Sequence, residues 1–358
     1  MEKIIETLKN WSIGIPQSPV RLEIWISGKC NLRCKFCGTW QSRQEDTLTL
    51  NDFLRIINEA TELGVEEVYI SGSGESFMRK NTTLRLMKEI KRKGMKGYII
   101  TNGTLLSKDE IKFMIKIKWD KIAFSFDCTI AETHDYLRGR KGCFNILVKN
   151  IQYLSQLKKE KKSSKPEIFT NTVIVNKNYK KIPEIIRFGK KLGVNSMIFQ
   201  PLMNTTDFCK KLELTKAELE KLKNIAKKAD SLAKKLGINS NIGNFVNSEY
   251  IMKANSIGEL FLKSVKGEKG FLSIPCFDPW WHMTITHDGK VGACAPWAQK
   301  SPENVLFSSL KNIWFGKYFN SFRERIKSKD LNECWCCVPY VFHNNELRVA
   351  LKKKLGCI

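Results

Sequence analysis

The stretch Cys30-Asn31-Leu32-Arg33-Cys34-Lys35-Phe36-Cys37 holds three cysteines at the spacing C-x3-C-x2-C. A single tight loop can direct three thiolates at one centre. Structural zinc sites normally take four protein ligands, so three thiolates leave one coordination position open. Thiolates also hold iron–sulfur clusters. A 4Fe–4S cube on three cysteines would keep one iron open to a small molecule. A zinc site and three ordinary buried thiols are the alternatives.

This cysteine loop directly follows an alternating strand, Arg21-Leu22-Glu23-Ile24-Trp25-Ile26, and strands then alternate with helices. The predicted strands are residues 21–26, 65–70, 97–100, 121–126, 167–175 and 196–200. Strand–helix alternation with short connections favours right-handed βαβ units and a parallel sheet. A full TIM barrel has eight such units. The pattern therefore predicts an α/β fold, a partial (β/α)6 TIM barrel with its functional residues at the carboxyl ends of the strands.

The rest of the chain divides around this barrel. Residues 1–20 are predicted as a lead-in helix and loop, 21–203 as the barrel, and 204–262 as a helical bridge. Thr215-Lys216-Ala217-Glu218 is a capping box that begins a helix in the bridge. Residues 263–358 are predicted as a small α+β domain. Within it, alternating residues around His287-Asp288-Gly289 indicate a β-hairpin.

Composition limits the class of protein. The 358 residues are 42% hydrophobic, enough for a large core, and no apolar run reaches the roughly 18 residues of a membrane span. The charged N-terminus does not resemble a signal peptide, so we expect a cytoplasmic protein. Twelve cysteines in a reducing compartment indicate metal ligands rather than disulfides.

The net charge of +25 has two interpretations. It could serve an acidic partner such as nucleic acid. It could also reflect lysines on solvated helix faces, as in residues 216–235. We favour the second interpretation, and we expect only weak, non-specific binding of nucleic acid at physiological salt.

The three-cysteine loop, with an aromatic residue before its third cysteine, resembles the radical S-adenosylmethionine (radical SAM) superfamily. The resemblance implies a 4Fe–4S cluster on Cys30, Cys34 and Cys37 whose open iron chelates the amino and carboxylate groups of SAM. It also implies that the reduced cluster cleaves SAM to methionine and a 5′-deoxyadenosyl radical, which takes a hydrogen atom from the substrate. An external donor such as flavodoxin or ferredoxin would supply the electron.

Other polar clusters fit the same resemblance. Ser73-Gly74-Glu75-Ser76 resembles the family's Gly-Gly-Glu-Pro motif, in which backbone and Glu hold the SAM amino group, although serines replace the first glycine and the proline. Asn102, Ser125 and Asp127 lie in segments that resemble the family's signatures at the ends of strands near SAM. Remaining candidates are Arg138 for the SAM carboxylate, Asn171 for the ribose, Phe36 for adenine, and Gln200 for SAM or substrate. Ordinary packing or solvation is the alternative for these residues.

A second set of cysteines lies near the C-terminus, at Cys276, Cys294, Cys334 and Cys337. Their order, with Gly289-x4-Cys294 and Cys334-x2-Cys337, resembles the SPASM domain in its shortened "twitch" form. The resemblance implies an auxiliary 4Fe–4S cluster with every iron ligated by protein. A zinc site of four cysteines is the alternative, and Cys336 could replace its neighbour as ligand. His282, His287 and Asp278 are candidates for taking a substrate proton, but core or solvated roles are favoured.

Three functions remain open on this evidence. The first is a radical SAM oxidoreductase that completes a two-electron oxidation of a sugar or cyclitol through the auxiliary cluster, similar to the twitch-type enzyme acting on an aminocyclitol. The second is modification of a peptide or protein side chain. It is less favoured because the first strand begins near residue 21, which leaves no room before it for a leader-binding domain. The third is a non-catalytic zinc and nucleic-acid-binding protein. The residue pattern does not identify the substrate.

Overall fold

The computed structural model describes residues 1–41, 45–203, 206–246, 257–331, 334 and 338–357, with the backbone alone for 257–260 and 338–342. The strands are β1 Arg21–Trp25, β2 Glu67–Ser71, β3 Lys96–Thr101, β4 Lys121–Ser125, β5 Glu167–Ile174, β6 Ser196–Pro201, β7 Asn239–Ser240, β8 His282–Ile285 and β9 Val291–Gly292. The α-helices are α1 Glu2–Ser12, α2 Leu50–Glu62, α3 Lys80–Arg92, α4 Lys108–Lys116, α5 Ala131–Arg138, α6 Cys143–Glu160, α7 Ile182–Lys191, α8 Lys216–Lys235, α9 Ile257–Ser264, α10 Ala295–Lys300, α11 Leu310–Phe315, α12 Lys317–Lys327 and α13 Val338–Lys354.

The described strands form one sheet in the order β7-β6-β5-β4-β3-β2-β1-β8-β9. Strands β1 to β7 pair in parallel, as predicted for the six strands of the partial barrel. The predicted α/β class and parallel sheet are confirmed. The sheet also continues beyond those six strands. β7 comes from the predicted bridge, and β8 comes from the predicted C-terminal domain and pairs in parallel with β1.

The two faces of the sheet differ in chemistry. Leu22 and Ile24 of β1 are fully buried in the same hydrophobic core as Phe53 and Ile56 of α2. Helix α2 begins at a capping box in which the Thr49 side chain accepts from the backbone of Asp52. Side chains of alternate residues in a strand point to opposite faces. The opposite face of β1, here called the inner face, therefore carries Arg21 and Glu23.

The C-terminal region packs against the first half of the chain through several specific bonds. The β8–β9 hairpin turns at Gly289, whose φ of 87° suits glycine. The Arg55 guanidinium donates to the Val305 carbonyl at 2.7 Å, and the Leu310 N–H donates to the Glu59 carboxylate at 2.7 Å.

Among the described residues, none of the helices has both the length and the apolar character required to cross a membrane.

Candidate functional site: two cysteine centres on one sheet

The first cysteine loop leaves β1 and is held in place by the end of α5. The Lys35 N–H donates to the Leu137 carbonyl at 2.9 Å, and the Arg33 N–H donates to the Arg138 carbonyl at 3.3 Å. A side chain at Gly139 would put its Cβ 2.1 Å from the Arg33 carbonyl oxygen. Glycine is therefore required where these two segments meet.

The sulfur atoms of this loop have N–H groups directed at them. The Leu32 N–H lies 3.5 Å from Cys30 Sγ, and Asn102 Nδ2 lies 4.0 Å from the same sulfur. Arg138 Nη1 lies 3.9 Å from Cys34 Sγ. Hydrogen bonds to sulfur are a usual feature of iron–sulfur sites. The donor chemistry of the loop thus fits an anionic cluster.

The three cysteines of the loop lie close together. Cys30 and Cys37 pack with Cys34 in one small cluster. No three Cys, His, Asp or Glu side chains in the described part of the chain are arranged to hold a single metal ion. Burial raises the pKa of the Cys34 thiol to about 11, so iron must displace a proton there.

Glu75 connects the loop after β2 to the loop after β3. Its carboxylate accepts the Asn102 N–H at 2.7 Å and the Thr101 hydroxyl at 2.8 Å. Burial raises the pKa of Glu75, and these hydrogen bonds act in the opposite direction. A Cβ at Gly74 would lie 2.4 Å from the carbonyl oxygens of Ser27 and Lys29, so Gly74 brings this loop against the start of the cysteine loop. The close neighbour of Gly74 is thus protein backbone.

Asn102 and Arg138 extend the network toward the cysteine sulfurs. The Asn102 amide donates to Asn31 Oδ1 at 2.9 Å and accepts from Thr104. Arg138 is buried, and its guanidinium lies 2.6 Å from the Asp127 carboxylate and 5.3 Å from the Phe36 ring. Burial lowers the pKa of Arg138, but Asp127 and Cys34 reverse this and raise it. Asp127 itself is completely buried, so it positions Arg138 rather than facing the open site.

Three predicted SAM contacts lie on neighbouring strands. Ser125 at the end of β4 is in register with Asn171 of β5, and Gln200 of β6 is in register with Val173. The Asn171 Oδ1 atom is buried without a hydrogen-bond partner among the described residues. An unpaired buried oxygen on β5 is available to a ligand hydroxyl. Contacts of these three residues with SAM stay predictions.

The second set of cysteines comes from separated elements. Cys276 follows a short turn of 3-10 helix, Cys294 is the N-cap of α10, and the Cys334 N–H donates to the Leu331 carbonyl at 2.9 Å. Cys276 and Cys334 pack against the same hydrophobic core. Cys337, together with Cys336, lies outside the described residues. The choice between these two as ligand therefore stays a prediction.

Glu23 of β1, which contacts His282 of β8, was missed by the sequence reasoning. The Glu23 carboxylate lies 3.4 Å from His282 Nε2 and accepts the Trp25 indole N–H at 3.0 Å and the Ser71 hydroxyl. Burial acts to raise the pKa of Glu23, but His282, Ser71 and Trp25 outweigh it and lower the pKa to about 2. His282 had been assigned a core or solvated role, and the structure places it in the core.

Asp278 and His287 are also buried. Burial raises the pKa of Asp278 and lowers the pKa of His287. The His287 carbonyl accepts the N–H groups of Thr47 and Leu48, which fixes the segment before α2. Both residues thus belong to the core, as favoured from the sequence.

Two family models match the chain. The model of the radical SAM superfamily matches residues 25–189, and the model of an iron–sulfur cluster-binding domain, SPASM, matches residues 276–338. The matched ranges contain both cysteine sets. They include Cys337 and Cys336, at the end of the second range.

Curated relatives are similar over part of their length. The tungsten-containing aldehyde ferredoxin oxidoreductase cofactor-modifying protein of Pyrococcus furiosus is 28% identical over 188 residues, 52% of each chain. The PqqA peptide cyclase of Granulibacter bethesdensis is 26% identical over 179 residues, 49% of this chain and 46% of the cyclase. The chain thus spans about half the length of these relatives.

A solved structure has a similar fold. Streptococcus suis SuiB bound to precursor peptide SuiA superposes with a TM-score of 0.66 at 19% identity. The superposition covers 90% of this chain and 70% of SuiB. At this identity the similarity concerns the fold.

Proposed function

Because the chain belongs to the radical SAM superfamily and has a C-terminal SPASM iron–sulfur domain, we propose that it modifies a side chain of a peptide or protein. The modification is a two-electron oxidation. The observation that carries this proposal is the direct pairing of β8 with β1, which joins the strand before the first cysteine loop to a strand of the C-terminal cysteine region and brings His282 beside Glu23. A substrate on the inner face would lie between the two centres.

The comparisons favour a peptide over the sugar or cyclitol that the sequence analysis placed first. One relative is named as a peptide cyclase, and SuiB was crystallised with a precursor peptide. Another relative is named for modifying a cofactor, so the experiment below includes small molecules. A non-catalytic zinc protein does not fit a member of this superfamily.

The bound cofactors would supply the radical chemistry, which needs a hydrogen-atom acceptor derived from SAM at the first cluster and a one-electron acceptor at the second. The chain supplies binding and orientation. Cys30, Cys34 and Cys37 hold the first cluster, and the network of Glu75, Asn102 and Arg138 holds SAM beside it.

The substrate must also lose a proton for the oxidation to balance. Within the described residues, His282 Nδ1 is buried and has no hydrogen-bond partner, while Nε2 faces Glu23. A carboxylate that orients an imidazole leaves the second nitrogen available for proton transfer. We assign the proton to His282. Cytoplasmic location and a flavodoxin or ferredoxin donor stay predictions.

The test is a substrate screen under anaerobic conditions. The reconstituted holoenzyme is incubated with SAM and dithionite, and with either synthetic peptides encoded beside its gene or a panel of sugars and cyclitols. We expect 5′-deoxyadenosine to form together with a peptide product lighter by two hydrogen atoms in mass spectrometry. Oxidation of a cyclitol with the peptides unchanged would contradict the proposal. The Cys276→Ala variant is the control for the second cluster.

A further inference from the structure

The segment that carries Cys276 is held in place by side chains of the C-terminal helix α13. The Arg348 guanidinium donates to the carbonyls of Leu272 at 2.9 Å and Ile274 at 2.6 Å. One turn earlier in the helix, Asn344 Oδ1 accepts the Phe277 N–H at 2.6 Å. The backbone on both sides of Cys276 is therefore fixed by two side chains on one face of α13.

The orientation of the Asn344 amide is determined by this geometry. Its oxygen must face the Phe277 N–H, because only the oxygen accepts. The amide nitrogen then faces Cys276, with Nδ2 3.9 Å from Sγ. Asn344 is completely buried, so water does not compete for these bonds. The amide thus both fixes the backbone after the cysteine and directs an N–H at its sulfur.

Arg348 adds a buried positive charge. It is 3% exposed, and in the described part of the chain its guanidinium forms no ion pair with a carboxylate. Its hydrogen bonds go to backbone carbonyls and to Asn345. Glu268, the nearby acid, is paired with Lys352. A buried cation without a carboxylate partner is costly unless another anion lies close. An iron–sulfur cluster on thiolates at Cys276 would be such an anion.

We propose that Arg348 and Asn344 are positioning residues of the second cluster, which hold Cys276 in place and raise the reduction potential of the cluster. Reduction adds negative charge to the cluster. A buried cation and an N–H group at a ligand sulfur stabilise the more negative state, and both are established determinants of cluster potential. The inference rests on the second cluster and does not depend on which substrate is modified.

The experiment isolates the second cluster in the full-length chain. The Cys30→Ala, Cys34→Ala and Cys37→Ala substitutions remove the first cluster, and the potential of the remaining one is measured by a redox titration followed by electron paramagnetic resonance. Asn344→Asp keeps the oxygen that accepts from Phe277 and replaces the N–H donor by an anion. Arg348→Gln removes the charge, and Arg348→Lys retains it. Lys353→Gln removes an exposed charge from the same helix and is the matched control.

We expect Asn344→Asp and Arg348→Gln to shift the midpoint potential to more negative values than the Lys353→Gln control. Arg348→Lys, which keeps the charge, should retain most of the wild-type potential. Loss of iron in the first two variants alone would also support the positioning role. Full iron content with an unchanged potential in both would overturn the inference. Zinc in place of iron would overturn it as well.

Discussion

The first cysteine centre is built from eight consecutive residues, whereas the second gathers cysteines from positions 276 to 337. In the first, the N–H groups directed at sulfur come from inside the loop, from the connection after β3 and from the last residue of α5, through Leu32, Asn102 and Arg138. In the second, the corresponding amide comes from a helix 68 residues away, through Asn344. Loop closure is far shorter for the first centre, so its geometry is specified locally. The second depends on the complete C-terminal fold.

Because the two centres are built separately, we expect the largest effect when one centre is removed and the other remains. The triple variant Cys30→Ala, Cys34→Ala, Cys37→Ala should lose about half of its iron and all formation of 5′-deoxyadenosine, because each lost thiolate leaves an iron without a ligand. Iron analysis and chromatography of the SAM products measure both. Cys209→Ala, at a buried cysteine outside both sets, is the control and should retain them. SAM cleavage by the triple variant would refute the assignment.

The converse variant removes the second centre and leaves the first. Cys276→Ala combined with Cys294→Ala should lose the other half of the iron, about four atoms, while 5′-deoxyadenosine still forms. Substrate oxidation should stop, since no acceptor for the second electron remains. Mössbauer spectra of the two complementary variants should add up to the wild-type spectrum. One zinc atom in place of those four irons would defeat both the second cluster and the oxidation.

The same contrast explains what could be predicted from the sequence. The cysteine loop and six strands were predictable because they depend on local spacing and alternation. Glu23 was missed because the alternation in Arg21-Leu22-Glu23-Ile24 predicts only which face each side chain takes, whereas its partner His282 comes from a strand far along the chain. β7 has two residues, too few for any pattern, and its pairing with β6 is decided by packing.

The side chains that hold the Cys276 segment in place were missed for a related reason. Arg348 and Asn344 lie in a helix that ends in three lysines, and only the tertiary fold buries them. The pairing of β8 with β1 joins residues some 260 positions apart, and no local signal specifies that register. The boundaries proposed at residues 203 and 263 remain predictions, although the sheet crosses both.

A smaller effect is expected when the support of the first centre is weakened without touching a cysteine. Asp127→Asn leaves the buried Arg138 guanidinium without its counter-charge, and breaking a buried ion pair on one side costs about 3–5 kcal/mol. Anaerobic denaturant unfolding should show this loss. Glu324→Gln breaks the exposed pair with Lys327 and should cost less than ~1 kcal/mol. Equal effects of the two substitutions would show that the Asp127–Arg138 pair does not support this centre.

The smallest expected effect concerns the contact that joins the two regions, Glu23 of β1 with His282 of β8. The pKa of Glu23 is lowered from 4.5 to about 2, so its ionised form stabilises the fold above about pH 4.5. That contribution is lost as the pH falls from there toward 2. Wild type should therefore be more stable than Glu23→Gln at neutral pH, and the difference in unfolding free energy should shrink progressively below about pH 4.5. Denaturant unfolding of both proteins from neutral pH to about pH 3 measures it, with Glu132→Gln, at an exposed position of α5, as the matched carboxylate-to-amide control. A difference that stays constant with pH would mean that the contacts of Glu23 with His282 and its neighbours do not stabilise the ionised carboxylate.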